Sequence, residues 1–367
     1  MPKASIYTAH KASTSTQGKL VMNFVRLDRN GLALLLVIAV ILPLLQAKNA
    51  CADRSYRMVY SFTPTTGTDN RLWVPVPVKW DGQGTVDAEI VEISPATGAR
   101  SNEQSGNKPV SWPDSELDNN LSVTFDVELA PVTLPVDPNA TWGSYATGTQ
   151  EYQFNTSATS WVQCDDQTII DQASSIVGSE TNPYNKANDI YTWVKNNISY
   201  QDGVRQDALN VLSERKGDCA AFSILFVALC RAEGIPARNI SGFLAHDQYF
   251  NVATQFREGT WNCLQAPRGF STHVWAEFML PGGQWVQVDP THSFFGAIPY
   301  ERVILSKGNE VLLGWMTRPW FHLPVANSQV HDSSVSLSIT YLGTSGIEHP
   351  APTALPTAAN TLLLLSN

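Results

Sequence analysis

Cys219, His273 and Asp289 are the residue types of a thiol nucleophile, an imidazole base and a carboxylate that orients the base. A thiol attacks only as the thiolate, and a neighbouring histidine together with a helix N-terminus lowers its pKa from about 8.5. The local sequence predicts both neighbours. From Cys219 to Glu233 the apolar residues Phe222, Leu225, Phe226, Leu229 and Cys230 recur at three- and four-residue steps, which predicts a helix with a buried stripe. Gly234 is placed to cap it and Pro236 to stop it. Asp218 is the expected N-cap, so Cys219 falls in the first turn, where the peptide dipoles favour negative sulfur and Asp218 mildly opposes it. Downstream, Thr272 to Leu280 alternates as a strand, Pro281-Gly282-Gly283 turns, and Gln284 to Val288 reads as the hairpin partner. His273 opens the first strand and Asp289 closes the second, so an antiparallel hairpin brings them to one end.

Taken alone, a cysteine such as Cys219 is more often a packed core thiol than a nucleophile, and His273 is compatible with a satisfied strand histidine. Their order changes that balance. The run LSERKGDCAAFSILFVALCRAEGIPAR, then HVWAEF, then GGQWVQVDPTH, resembles the core of the transglutaminase-like superfamily of papain-like thiol enzymes, over roughly residues 185–292. The resemblance implies that Cys219, His273 and Asp289 are the catalytic positions. Gly234 to Arg238 after the helix and Trp275 beyond the histidine also match. Two features depart from the pattern: Leu244 to Ser271 is a long connection holding Tyr249, Phe250, Trp261 and Cys263, and His292 stands where an aromatic residue is common.

The chemistry these residues support is acyl transfer through a thioester on Cys219, with the Cys219 backbone N–H as one oxyanion donor and Tyr200 or Trp261 as candidates for a second. Hydrolysis of an amide or peptide is the expected outcome. Protein crosslinking is the alternative, and a binding or scaffold module that retains the fold without catalysis is a further one. No cofactor is expected. Nor is a metal: Cys-x-x-Cys and His-Glu-x-x-His are absent, and His246, His273 and His292 share no ligand spacing. Trp275 and Trp285 read first as core or wall residues of the sheet.

The fold class expected is α+β: a papain-like or transglutaminase-like core, with the nucleophile's helix packed on an antiparallel sheet, preceded by a β-sandwich-like domain. The chain has 367 residues, enough for two domains and tails. Residues 53–161 form the β-rich domain, in which Tyr56–Phe62, Leu72–Val78, Val86–Ile93 and Leu121–Leu129 are rich in β-branched and aromatic residues between turn clusters. Residues 162–325 form the catalytic domain, with helices at Thr168–Val177 and Lys186–Asn196, the latter placing Ala187, Ile190, Tyr191 and Val194 on one face to pack under the catalytic helix. Residues 326–342 hold a terminal strand, Ser334–Tyr341, and 343–367 a disordered tail. No internal repeat is present.

A formal net charge of −9, with 16% charged residues and no basic cluster, argues against a nucleic-acid partner. The expected partner is a peptide or protein substrate, with the cell envelope one source. Residues 1–52 are a basic region followed by the uncharged apolar segment Gly31–Ala47, expected to act as a signal peptide, or as a membrane anchor if it is not cleaved. Membrane contact would then run only through that segment, and the protein would be exported. Export would allow Cys164 and Cys263 to pair, and would make Asn120, Asn139, Asn155, Asn197 and Asn239 candidate glycosylation sites.

Overall fold

The computed structural model of the chain describes residues 7–14, 20–26, 52–63, 71–77, 86–100, 106–113, 116, 119–129, 132–133, 136–204, 206–244, 246–247, 251–252, 259–262, 271–298, 302–308, 311–313, 316–318, 325–326, 329–330 and 335–348. The apolar segment 31–47, and Cys263 with its proposed pairing, lie outside these residues. Met1–Ala50 form a separate unit containing the antiparallel hairpin Tyr7–Thr14 with Leu20–Arg26. Cys51–Asn367 form one compact unit.

In that unit the chain opens with β1 (Ala52–Phe62), β2 (Val86–Ser94) and β3 (Leu121–Leu129). In β3 the residues Leu121, Val123, Phe125, Val127 and Leu129 are buried while those between are half-buried. This period of two commits one face to the core. The helices α1 (Gln150–Thr156), α2 (Gln167–Val177) and α3 (Pro183–Asn197) follow, capped by the side chains of Thr149, Asp166 and Asn182. Next come β4 (Ser199–Tyr200), α4 (Ala208–Glu214), β5 (Lys216–Gly217) and α5 (Cys219–Ala232). The chain then runs through β6 (Ala237–Leu244), β7 (Gly259–Asn262), β8 (Ser271–Met279), β9 (Trp285–Asp289), β10 (Phe294–Phe295), β11 (Arg302–Lys307) and β12 (Val335–Glu348).

Three layers result. A five-stranded sheet in the order β10-β9-β8-β6-β11 occupies the middle. One of its faces, through Ala276, Phe278, Val286 and Val288, shares a core with α2, α3, α4 and α5. The other, through Ile240, Phe243, Trp275, Val303 and Ile304, shares a core with the sandwich strands, including Tyr60, Trp112 and Phe125. The sandwich consists of a sheet in the order β7-β12-β1-β3-β2 and a second sheet in the order Gln329–Val330, Val325–Ala326, Arg71–Val74, Val110–Pro113, Ala99–Arg100. The architecture is α+β, with a helix-on-sheet core and an N-terminal sheet region.

Long-range pairing knits these layers together. β12 returns from beyond the core to pair with β1, with Leu337 opposite Tyr60, and continues past Gly343 to Glu348, into the stretch expected to be tail. Residues 349–367 lie outside the described residues. β7, inside the long connection after Leu244, adds to the sandwich by pairing with β12. Phe226 of α5 is fully buried, its ring set edge-on to Phe278 of β8 with the centroids 6.4 Å apart. Phe226→Ala is expected to cost about 3–5 kcal/mol, read as a lower denaturant midpoint at unchanged slope.

One glycine governs the central sheet. A Cβ at Gly242 would lie 1.9 Å from the Val303 carbonyl oxygen, at the register shift where β6 pairs with β11. The close approach sets Arg302 opposite Leu244 while Gly242 faces His273 across the other edge of β6.

Candidate active site

Three short segments meet at one end of the central sheet. Asp218 caps α5, its side chain accepting from the Ala221 N–H at 3.0 Å, and receives a further hydrogen bond from the Gln206 amide. Gly217 leaves room for this entry, since a Cβ there would come 2.2 Å from the Ala221 Cβ. Cys219 therefore starts the helix, as its N-cap signal predicted. The backbone N–H groups of Val274, the residue after His273, and of Ala220 favour negative charge on its sulfur. The β8–β9 hairpin pairs Met279 with Trp285 through Ala276 with Val288, so His273 and Asp289 fall at its open end, as expected.

Asp289 is fully buried and collects donors from every side. Its Oδ2 lies 2.8 Å from His273 Nε2, 3.0 Å from His292 Nδ1 and 2.7 Å from Arg302 Nη1. Its Oδ1 accepts the backbone N–H groups of Thr291 and His292 at 3.1 and 3.2 Å. Burial alone would raise this carboxyl. Electrostatic interaction with His273 and Arg302 and the hydrogen bonds from His273 and His292 outweigh burial and hold it well below the usual range. The carboxylate can only accept, so His273 presents Nε2–H to it and keeps its lone pair on Nδ1. A base with its free nitrogen at Nδ1 follows from this partner.

The resting charges differ from the sequence expectation. Burial pushes the Cys219 thiol up to about 12, with the Asp218 charge adding to the rise and the Val274 and Ala220 N–H groups only partly offsetting it. Burial likewise lowers His273 to about 4, against the pull of Asp289, with Arg302 and His292 contributing to the fall. Both shifts favour a neutral thiol and a neutral imidazole at rest over the expected thiolate and imidazolium. With His273 neutral, the permanent charge of Arg302 keeps Asp289 ionised.

A stability consequence follows. Unfolded His273 takes a proton near pH 6.5, folded His273 only near 4, so the unfolded state binds more protons between them. Stability present above 6.5 is lost as pH falls toward 4, by on the order of 3 kcal/mol. Denaturant titrations across that interval are expected to show the loss in wild type, and a much smaller one in His273→Gln.

Trp275 fixes the imidazole. Its ring stacks with His273 at 5.9 Å between centroids and 16°, receives the Arg302 guanidinium at 4.9 Å, and donates Nε1–H to Gln287 Oε1 at 3.1 Å. Trp285 is a wall residue, bonded to Glu151 and covered by Arg238 at 3.8 Å. Further along the same sheet face, Arg238 and Lys307 flank the fully buried Glu277 at 2.6 and 3.0 Å. Tyr200, a candidate oxyanion donor, pairs through β4 with Gly217, donates to Asp202 Oδ1 at 3.1 Å and interacts electrostatically with Cys219. The other candidate, Trp261, is placed on β7 by its backbone alone.

Two residues of the site escaped the sequence reading. His292 looked like a departure from an aromatic position, yet it bonds Asp289 and its Nδ1 lies 3.2 Å from His273 Nε2. The readable signal was the Asp289-Pro290-Thr291-His292 turn, which folds position 292 back onto Asp289. Arg302 carried no local signal, since only the β6–β11 register delivers it. His273 and His292, which share no ligand spacing in the sequence, converge with Asp289. The backbone of His246 lies on the short strand His246–Asp247.

Cys164 is a free buried thiol whose sulfur donates to the Thr156 carbonyl at 3.5 Å. Among the candidate glycosylation sites, Asn155 and Asn239 are buried and bonded to Glu151 and Ser223, so they are unsuitable acceptors in the folded protein, while Asn120, Asn139 and Asn197 are exposed.

Residues 170–290 match the model of the transglutaminase-like superfamily. The chain carries a transglutaminase-like domain. An uncharacterized protein of Haemophilus influenzae is 35% identical over 126 residues, 31% of this chain and 33% of that protein, so the match spans about a third of the curated relative's length. Among solved structures, a candidate cysteine protease from Cytophaga hutchinsonii superposes with a TM-score of 0.51 at 17% identity, covering 81% of this chain and 93% of its own. The periplasmic domain of TgpA from Pseudomonas aeruginosa gives 0.34 at 14% identity, covering 66% and 90%. The first of these shares the fold of this chain. The matched segment holds Cys219, His273 and Asp289, and ends just before His292.

Proposed function

We propose that the protein is a thiol hydrolase of amides or peptides, acting through a thioester on Cys219. The observation that carries this reading is the buried His273–Asp289 pair across β8 and β9, next to Val274, whose N–H favours negative charge on the Cys219 sulfur. Membership of the matched segment in a superfamily of thiol enzymes supports it. In the first step the sulfur attacks the carbonyl carbon, the thiol proton passes to His273 Nδ1, and the expelled amine receives that proton as the C–N bond breaks. Asp289 stabilises the imidazolium that forms in between, and the Cys219 N–H at the helix start faces the developing oxyanion. Water then attacks the thioester with His273 as base, releasing the acid and restoring the thiol. Because the resting thiol is neutral, proton removal accompanies attack rather than preceding it.

Hydrolysis rather than crosslinking, and export through the apolar 31–47 segment to meet a cell-envelope peptide or protein, belong to the same proposal and rest on the sequence. Among the described residues no helix is long and apolar enough to cross a membrane. Incubation with a protein digest and a fluorescent primary amine separates the two outcomes by mass spectrometry. New carboxyl termini or deamidated side chains are expected. Incorporation of the amine in place of water would overturn the hydrolytic reading.

A further inference from the structure

We propose that His273, Asp289 and His292 form a binding site for a borderline divalent transition-metal ion, with Zn²⁺ as the representative, and that the bound ion switches the thiol chemistry off. His273 Nε2, His292 Nδ1 and Asp289 Oδ2 form a nearly equilateral triangle with sides of 2.8, 3.0 and 3.2 Å. Nitrogen and oxygen ligands at the usual 2.0–2.1 Å from tetrahedral zinc stand about 3.3 Å apart. The triangle needs to open by only a few tenths of an ångström to become one face of that tetrahedron, with the fourth position left for water.

Hydrogen bonds alone do not satisfy this triangle. Asp289 Oδ2 accepts, so each imidazole that turns a nitrogen to it must present N–H, and the two N–H groups then confront each other at 3.2 Å. If either histidine carries its hydrogen on the far nitrogen instead, its lone pair meets the carboxylate or the other ring. One edge of the triangle is unfavourable in either arrangement. A cation accepts all three lone pairs at once while both imidazoles stay neutral, with their hydrogens on His273 Nδ1 and His292 Nε2 and no proton released. The two-nitrogen, one-oxygen set suits zinc and its neighbours rather than magnesium or calcium.

The surroundings favour a reversible ion over a permanent one. His292 retains 13% side-chain exposure and supplies an entry path, while His273 and Asp289 lie beneath it. Arg302 stands 2.7 Å from the same carboxylate oxygen, and its charge weakens the hold on a cation. The inhibitory half of the proposal rests on the reading of His273 as the base: coordination at Nε2 leaves hydrogen on Nδ1, which then has no lone pair for the Cys219 proton. The binding half is independent of it.

The test is a Zn²⁺ titration of the full chain against a chromophoric chelator, in wild type, Cys219→Ser, His292→Phe and His292→Asn. One ion per chain is expected in wild type and in Cys219→Ser, with at least about tenfold weaker binding in both His292 variants. Co²⁺ in place of Zn²⁺ is expected to give ligand-field bands without the thiolate charge-transfer absorption that sulfur ligation would add. Wild-type affinity in folded His292→Phe, or loss of binding in Cys219→Ser, would overturn the site. If binding follows the expected pattern yet Zn²⁺ leaves acylation of Cys219 unchanged, the switch is overturned and the site stands. If Cys219 is not acylated even in chelator-treated protein, the hydrolase reading fails instead.

Discussion

Cys219→Ala is expected to lower turnover of any acyl substrate by on the order of 10⁶-fold, the loss seen when a nucleophile is removed from a preorganised site. The substitution is structurally mild. Asp218 still caps α5 and Gly217 still clears Ala221, so the variant should unfold near the wild-type midpoint. What disappears is, among the described cysteines, the one sulfur placed to form the thioester, because Cys230 is fully buried midway along the helix and Cys164 lies in the helical core, bonded to Thr156. A folded variant keeping more than a hundredth of wild-type activity would place the chemistry elsewhere. The half-buried Cys219 should also be alkylated by iodoacetamide ahead of Cys230. With a pKa of about 12, its labelling should climb steadily with pH through the neutral range, whereas a preformed thiolate would already have reached a plateau.

Asp289→Asn is expected to act on both rate and stability. Asparagine can turn its NH₂ toward His273, and the imidazole then carries hydrogen on Nδ1, the tautomer that cannot accept the thiol proton. The analogous change in a serine triad costs about 10⁴-fold, and a loss of that order is expected here. The same substitution strips Arg302 of its buried counter-charge. Breaking a buried pair on one side costs about 3–5 kcal/mol, a loss measurable by chemical denaturation. Arg302→Met in the Asp289→Asn background separates the effects: most of the stability should return, while the rate should stay low. Equal recovery of both would reduce Asp289 to a structural role. Gly242→Ala acts earlier in the same chain of cause. Its Cβ would displace the Val303 carbonyl, at an expected cost of about 1–3 kcal/mol.

The parts of the site that were legible in the sequence are those set by short-range rules. Asp218 as N-cap and Gly234 at the helix end mark α5, and Pro281-Gly282-Gly283 fixes a hairpin whose strand lengths bring His273 and Asp289 together. Alternation in Leu121–Leu129 likewise announces a sheet face. Long-range register was not legible. The strand near Ser334 reads as a strand, but its partner β1 lies at the other end of the compact unit, and β7 sits within a connection without motif. Arg302 is placed by a register shift at Gly242, which no periodicity reveals. The thiol pKa failed for a related reason: helix dipole and histidine are local and favour the thiolate, whereas burial is tertiary and here is the larger effect. His292 was different, because a resemblance that favoured an aromatic residue there hid a turn that returns its imidazole to Asp289.

Trapping the acyl-enzyme tests the central claim most directly. The full chain would be treated with an activated acyl probe, quenched in acid and digested for mass spectrometry, alongside His273→Ala in which Cys219 is intact. A single acyl adduct is predicted on the peptide carrying Cys219 in wild type, labile to hydroxylamine as a thioester is, and strongly reduced in His273→Ala. No adduct on Cys219, or an adduct equally abundant without His273, would contradict a thiol enzyme built on this site.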